Sequence, residues 1–244
     1  MTIGRQRLYV AESSIKDAFA LAHEYKNDAY CDQLLLDRFG ASKVDSVDFS
    51  GYEGASVIHD MNLPLPERLT GRYDTVIDGG CLEHIFNVPQ ALLNCSAFCK
   101  PGAQILHMVP ANNCCGHGFW QFSPELFFSV YSEKNGYSET EVFLADLSKP
   151  AKWFRVKPPV CRERVNVHSA SQAYVLVRTV LKEGRFSHAG VQQSDYVLEW
   201  EDGADPSAHS VPSSRERVTR CLKRVPLLHR VSAWAYHPRI QCTS

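Results

Sequence analysis

The sequence predicts an α/β fold built on a mostly parallel sheet, and three stretches carry that reading. The first is Tyr73 to Pro110, YDTVIDGGCLEHIFNVPQALLNCSAFCKPGAQILHMVP, which reads as strand, helix, strand. Tyr73 to Asp78 is a short apolar run broken by Gly79-Gly80. Leu82, Ile85, Phe86, Ala91, Leu92, Cys95, Phe98 and Cys99 then recur at helical spacing until Lys100-Pro101-Gly102. Ile105 to Val109 is a second apolar run. Two buried strands joined by a helical crossover form a right-handed βαβ unit. The second stretch is the helical pattern of Ser13 to Phe39 followed by the alternating strand Val44 to Phe49, and the third is the pair of strand-like runs Glu141 to Leu147 and Gln172 to Leu181.

Ligands of open parallel sheets sit beyond the carboxyl ends of the strands. That edge gathers Asp78, Gly79, Gly80, Glu83 and His84 on one rim, with Pro110, Asn112 and Asn113 on the next.

Taken in order, YDTVIDGGCLEHI, then KPG, then an apolar strand ending in VP resembles the second half of class I S-adenosylmethionine-dependent methyltransferases. The resemblance in order and spacing covers about Thr2 to Leu181. It implies a Rossmann-like class I methyltransferase fold, with a mostly parallel seven-stranded sheet, helices on both faces, and 141–147 with 172–181 as the closing antiparallel hairpin. It also implies S-adenosyl-L-methionine as cofactor. Thr2 to Leu8 stands where that family has its first strand and glycine-rich turn, but only Gly4 is supplied. The missing glycines matter, because they let backbone approach a ligand and adopt torsions that other residues resist. Arg5 is then either a compensating clamp on the cofactor's carboxylate, a favourable bidentate geometry, or a surface arginine beside a degenerate turn.

From Ser13 the candidate core positions are Ile15, Phe19, Ala22, Tyr25, Tyr30, Leu34, Leu35 and Phe39, with Gly40 as C-cap and Lys26-Asn27-Asp28 as an internal break. Asp48 ends the second strand. The resemblance gives it both ribose hydroxyls, which a carboxylate can accept; the alternative is a cap on a helix starting near Gly51-Tyr52-Glu53. Val57 to Asp60 is a brief third strand, and the resemblance sets Asp60 near the adenine amine and Met61 against its ring. Asp78, Gly79 and Gly80 complete the expected cofactor set.

Ser123-Pro124-Glu125 starts a helix, with serine as N-cap and proline at the first helical position, running towards Asn135-Gly136. The loop before it, Asn112 to Gln121, is expected to overhang the cofactor's methyl end. His117, between Gly116 and Gly118, is either a general base, a task to which the imidazole of histidine is suited near neutral pH, or a histidine bonding loop backbone. His84 is the second catalytic candidate.

The methyltransferase-like domain is expected over 1–184. An irregular insertion (148–171) holds Arg162 and Arg164 as acceptor contacts or solvated charges. A linker follows (185–214), then a basic tail (215–244). The tail is either a helix packed on the domain or a weak contact for an acidic partner or a membrane surface.

Net charge is −1, which offers no global attraction for nucleic acid. Nine cysteines without metal-ligand spacing suggest reduced thiols and no metal site. With no apolar run of membrane length, a cytoplasmic protein is expected. The expected activity is methyl transfer to oxygen or nitrogen of a small molecule or a glycan, such as a cell-envelope polysaccharide precursor; the alternative is a binding or scaffold protein on the same fold. A nicotinamide dehydrogenase would need GxGxxG after the first strand, which the sequence lacks.

Overall fold

The computed structural model describes residues 1–8, 29–149, 152–159, 165, 167–183, 186–194 and 196–197. The helical positions Ile15, Phe19, Ala22 and Tyr25, the break at 26–28, Arg162, Arg164 and the basic tail lie outside them.

Eight strands form one sheet in the order β3-β2-β1-β4-β5-β8-β6-β7. They are β1 Thr2–Ile3, β2 Ser46–Asp48, β3 Val57–Ile58, β4 Tyr73–Asp78, β5 Cys99–Pro110, β6 Tyr137–Asp146, β7 Trp153–Val156 and β8 Ala173–Leu181. The first five pair in parallel, whereas β8 runs antiparallel between β5 and β6. The sheet is mostly parallel with an antiparallel end, as expected, and has one strand more than the seven expected. The addition is β7, an antiparallel edge strand on β6 that arises from the insertion read as irregular.

Helix α1, Asp32–Arg38, lies in the β1–β2 crossover, and α2, Val88–Phe98, in the β4–β5 crossover. The two crossovers leave the sheet centre in opposite directions, so right-handed connections put their helices on opposite faces. α2 starts later than its apolar spacing suggests. Asn87 caps it by accepting from Gln90 N at 3.4 Å, and Pro89 stands in its first turn, so Leu82–His84 is left as a separate 3-10 turn. α3, Pro124–Val130, begins at Ser123, whose Oγ accepts from Glu125 N at 3.1 Å, and it ends well before Asn135-Gly136. No helix follows Asp48; the chain bends and turns to β3 there. Among the described residues, no helix is long and apolar enough to cross a membrane.

The core lies where α2 and α3 cover the alternating face of Ile105, Val109, Val175 and Val177. One polar network is sealed inside it. Asp78 Oδ1 accepts from the backbone N of Cys81 at 2.9 Å and of Leu82 at 3.3 Å, and Oδ2 lies 2.9 Å from His107 Nδ1. His107 Nε2 is 2.7 Å from the Tyr131 hydroxyl. A carboxylate only accepts, so Nδ1–H donates to Asp78 and Nε2 accepts from Tyr131. Asp78, expected among the cofactor contacts, thus has its side chain engaged within the protein. The side chain is 1% exposed and its hydrogen bonds hold the β4 terminus together.

The folded unit also runs past residue 184, the expected boundary. Phe186 and Val191 pack on the core, and Ser194 N donates to Glu125 Oε1 at 2.9 Å.

Candidate functional site

The strand order reverses between β1 and β4, and the carboxyl ends of both strands meet there. Gly4 turns the chain out of β1 with φ +71°, a conformation that costs a side-chain-bearing residue about 1–2 kcal/mol. Its N–H donates to Val47 O at 2.8 Å, which ties the turn to β2. Gln6 Nε2 donates to Ile3 O at 2.6 Å, and its amide oxygen lies so close over Gly79 that a Cβ there would overlap it. The glycine pair after β4 thus admits a side chain from the β1 turn.

Three of the residues expected at the cofactor make contacts within the protein. The Arg5 guanidinium is committed to the protein. It pairs with Asp32 at 2.7 Å, donates to Gly54 O at 2.9 Å and stacks over Tyr30 at 3.9 Å, so both of its terminal nitrogens are already engaged within the protein. Met61 is 5% exposed and offers almost no surface to a ring. The reason is Asn94, buried on α2, which donates to Met61 O at 3.1 Å and Leu63 O at 2.8 Å and clamps that connection inward. Asp60 folds back on Asn62, accepting from its N at 2.9 Å and Nδ2 at 2.7 Å; these bonds hold its carboxyl below the usual range. By contrast Asp48, at the tip of β2, is half-buried, and among the described residues its carboxylate accepts only a long contact from Ser50 N at 3.4 Å. Its carboxylate retains acceptor capacity for a diol.

Beside the crossover stands a cluster that joins both catalytic candidates to a residue not chosen from the sequence. Glu83 is 0% exposed, and neither carboxylate oxygen has a hydrogen-bond partner among the described residues. Burial pushes its carboxyl up to about 7. His117 Nε2 lies 3.3 Å from Glu83 Oε1 and His84 Nε2 4.0 Å from it, with both imidazoles about half exposed. The imidazole rings meet edge to face at 5.3 Å, and burial and the neighbouring His117 both lower the pKa of His84. Tyr174, at the start of β8, brings its ring within 6.5 Å of His117.

Backbone geometry assembles this cluster. The Asp78 cap fixes the Leu82–His84 turn, and the 112–121 loop is hung on it by Phe119 N and Trp120 N, which donate to Glu83 O at 2.7 and 3.3 Å. Gly118, at φ +78°, lets the loop come this close, since a Cβ there would lie 2.6 Å from Glu83 O. The loop thus overhangs the β4 terminus. Beyond it Phe86, Val88, Trp120, Phe122 and Leu126 line an apolar groove, with Trp120 Nε1 anchored to Ile85 O at 3.0 Å.

Glu83 stood in the sequence between residues that were singled out. What hid it was its burial and the nearness of His117, both products of the loop's descent.

No protein-family model matches the chain, and no curated protein matches it. Solved structures do resemble it. One is a SAM-dependent methyltransferase from Thermotoga maritima, 17% identical over 56% of this chain and 72% of that one, with a TM-score of 0.38. Another is a provisional methyltransferase of Bacillus halodurans, 12% identical over 70% of this chain and 99% of that one, also at 0.38. A third is a single-site mutant of a 16S rRNA (adenine(1408)-N(1))-methyltransferase from Catenulisporales acidiphilia with cosubstrate SAM, 15% identical over 55% of this chain and 62% of that one, at 0.32. Likeness of this degree adds nothing on substrate or reaction to what the residues themselves say.

Proposed function

We propose that the chain is an S-adenosylmethionine-dependent methyltransferase that modifies oxygen or nitrogen on a small molecule or a glycan precursor of the cell envelope. The observation that carries the reading is the half-exposed His117 imidazole, backed by the buried Glu83, beside the point where the strand order reverses. Crevices at such reversals are where sheets of this kind take nucleotide-like ligands. The cofactor's ribose end fits Asp48. Gly4 and Gly79 present side-chain-free backbone beside β1 and β4, and Gln6, which lies over Gly79, is a side chain that a ligand's methionine end must displace or bond. Bound there, the cofactor supplies an electrophilic methyl group on sulfur.

The protein's residues do the rest. The groove of Phe86, Trp120, Phe122 and Leu126 accepts the apolar part of the acceptor. With the cofactor bound, its methyl group would be open to the acceptor's lone pair, and His117 would take the proton released. Glu83 steadies the imidazolium. Positioning supplies most of the acceleration in such a transfer, and a base about 10²–10⁴-fold.

Calorimetry with S-adenosylhomocysteine tests the reading. The wild-type chain is expected to bind one equivalent, and Asp48→Ala to lose about 1.5–3 kcal/mol, or roughly 10- to 150-fold in Kd, as hydrogen bonds to a charged group are lost. Arg5→Ala is expected to lower thermal stability more than cofactor affinity, because its guanidinium holds Asp32 and Gly54. A chain that binds no cofactor analogue supports a scaffold protein instead, the reading favoured by Gln6 lying across the crevice.

A further inference from the structure

Glu83 presents a problem that its neighbours nearly solve. Buried carboxylates are almost always hydrogen-bonded, because an unpaired one is costly. Asp78 in this chain obeys that rule with three partners. Glu83, equally buried, has none among the described residues. What faces it is not a donor in bonding geometry but two imidazole nitrogens, and one atom from each of Glu83, His84 and His117 lies within 4.8 Å of the others.

Such spacing is what a small cation requires. Ligand atoms about 2.0–2.2 Å from a common ion are separated from each other by roughly 3–3.5 Å. The observed 3.3 and 4.0 Å from Glu83 Oε1 approach this, and all three atoms lie within 4.8 Å of one another. The frame is built on both sides: Asp78 caps the turn that carries Glu83 and His84, and the bonds to Glu83 O fix the loop that carries His117.

We propose that Glu83 Oε1, His84 Nε2 and His117 Nε2 form a binding site for a divalent ion of the zinc class. Two imidazoles and one carboxylate suit zinc and its first-row neighbours, whereas calcium and magnesium take all-oxygen sets. The half-exposed imidazoles leave the remaining coordination positions open to water or to an oxygen ligand. The site stands whether or not the chain transfers methyl groups. Where it does, an ion in place would commit the His117 lone pair and would acidify a bound acceptor hydroxyl, whose proton would pass to solvent.

Isothermal titration of the chelator-stripped full chain with zinc chloride, together with the absorption spectrum of its cobalt(II) form, tests the proposal. One ion per chain is expected, with nitrogen–oxygen ligand-field bands and no thiolate charge-transfer band. Glu83→Gln, His84→Gln and His117→Ala are each expected to weaken binding beyond the roughly 10- to 100-fold that second-shell changes cost. His84→Gln is half exposed and leaves the fold intact, so it decides the matter if a buried substitution unfolds the chain. Absence of binding overturns the site. So does binding that all three variants retain, or a thiolate band, which would place the ion on cysteine. S-adenosylhomocysteine affinity, measured separately, tells failure of this site from failure of the methyltransferase reading.

Discussion

Asp78→Ala is expected to lower the unfolding free energy by about 3–5 kcal/mol, a large share of what a domain usually has. The substitution strands three buried donors together: the N–H of Cys81, the N–H of Leu82 and the Nδ1–H of His107. Each orphaned donor costs about 1–3 kcal/mol, less whatever a relaxing neighbour recovers. Damage would spread along the chain of contacts, since His107 in turn orients Tyr131, whose ring packs against Tyr137 at 4.8 Å. Urea denaturation of the wild type and the variant measures this. A loss below about 1 kcal/mol would mean that the network is replaceable, and that something else fixes the β4 terminus.

Gly118→Ala is expected to abolish most activity at a smaller cost in stability. The position has φ +78°, and the added Cβ would meet Glu83 O at 2.6 Å and Glu83 Cγ at 2.9 Å. Neither atom can yield, because Glu83 is packed with no exposure. The loop must therefore lift, losing the bond from Phe119 N and drawing His117 off Glu83. Misplacing a reacting group by about 1 Å costs about 10²-fold in rate, while backbone strain at one residue costs roughly 1–3 kcal/mol. A methyl-transfer assay and the zinc titration should fail together in this variant, with Asp48-dependent cofactor affinity unchanged. Normal transfer by Gly118→Ala would separate His117 from the chemistry.

The parallel half of the sheet was legible for local reasons. The Tyr73–Asp78 run, the Gly79-Gly80 break and the Ser123-Pro124 cap each declare themselves within a few residues. Boundaries that depend on competition were not. The helical spacing from Leu82 continues through a 3-10 turn because Asp78 captures that turn's N–H groups, and α2 waits for Asn87 and Pro89. The strand in the insertion, β7, has little pattern of its own and exists because β6 offers it an unpaired edge.

The cofactor candidates divide along the same line. Composition and spacing could nominate Asp48, Asp60, Asp78, Arg5 and Met61, but not say which had been claimed by other groups. Asp32 took Arg5, Asn94 drew in Met61, and His107 with two backbone amides took Asp78. Side-chain chemistry and periodicity belong to the sequence, so the fold class and the list of reactive residues could be read from it. Which acid is spent on structure, which is left buried without a partner, and which histidines come to stand beside it depend on contacts between distant segments. Those are fixed only when the loop after β5 settles onto the turn after β4.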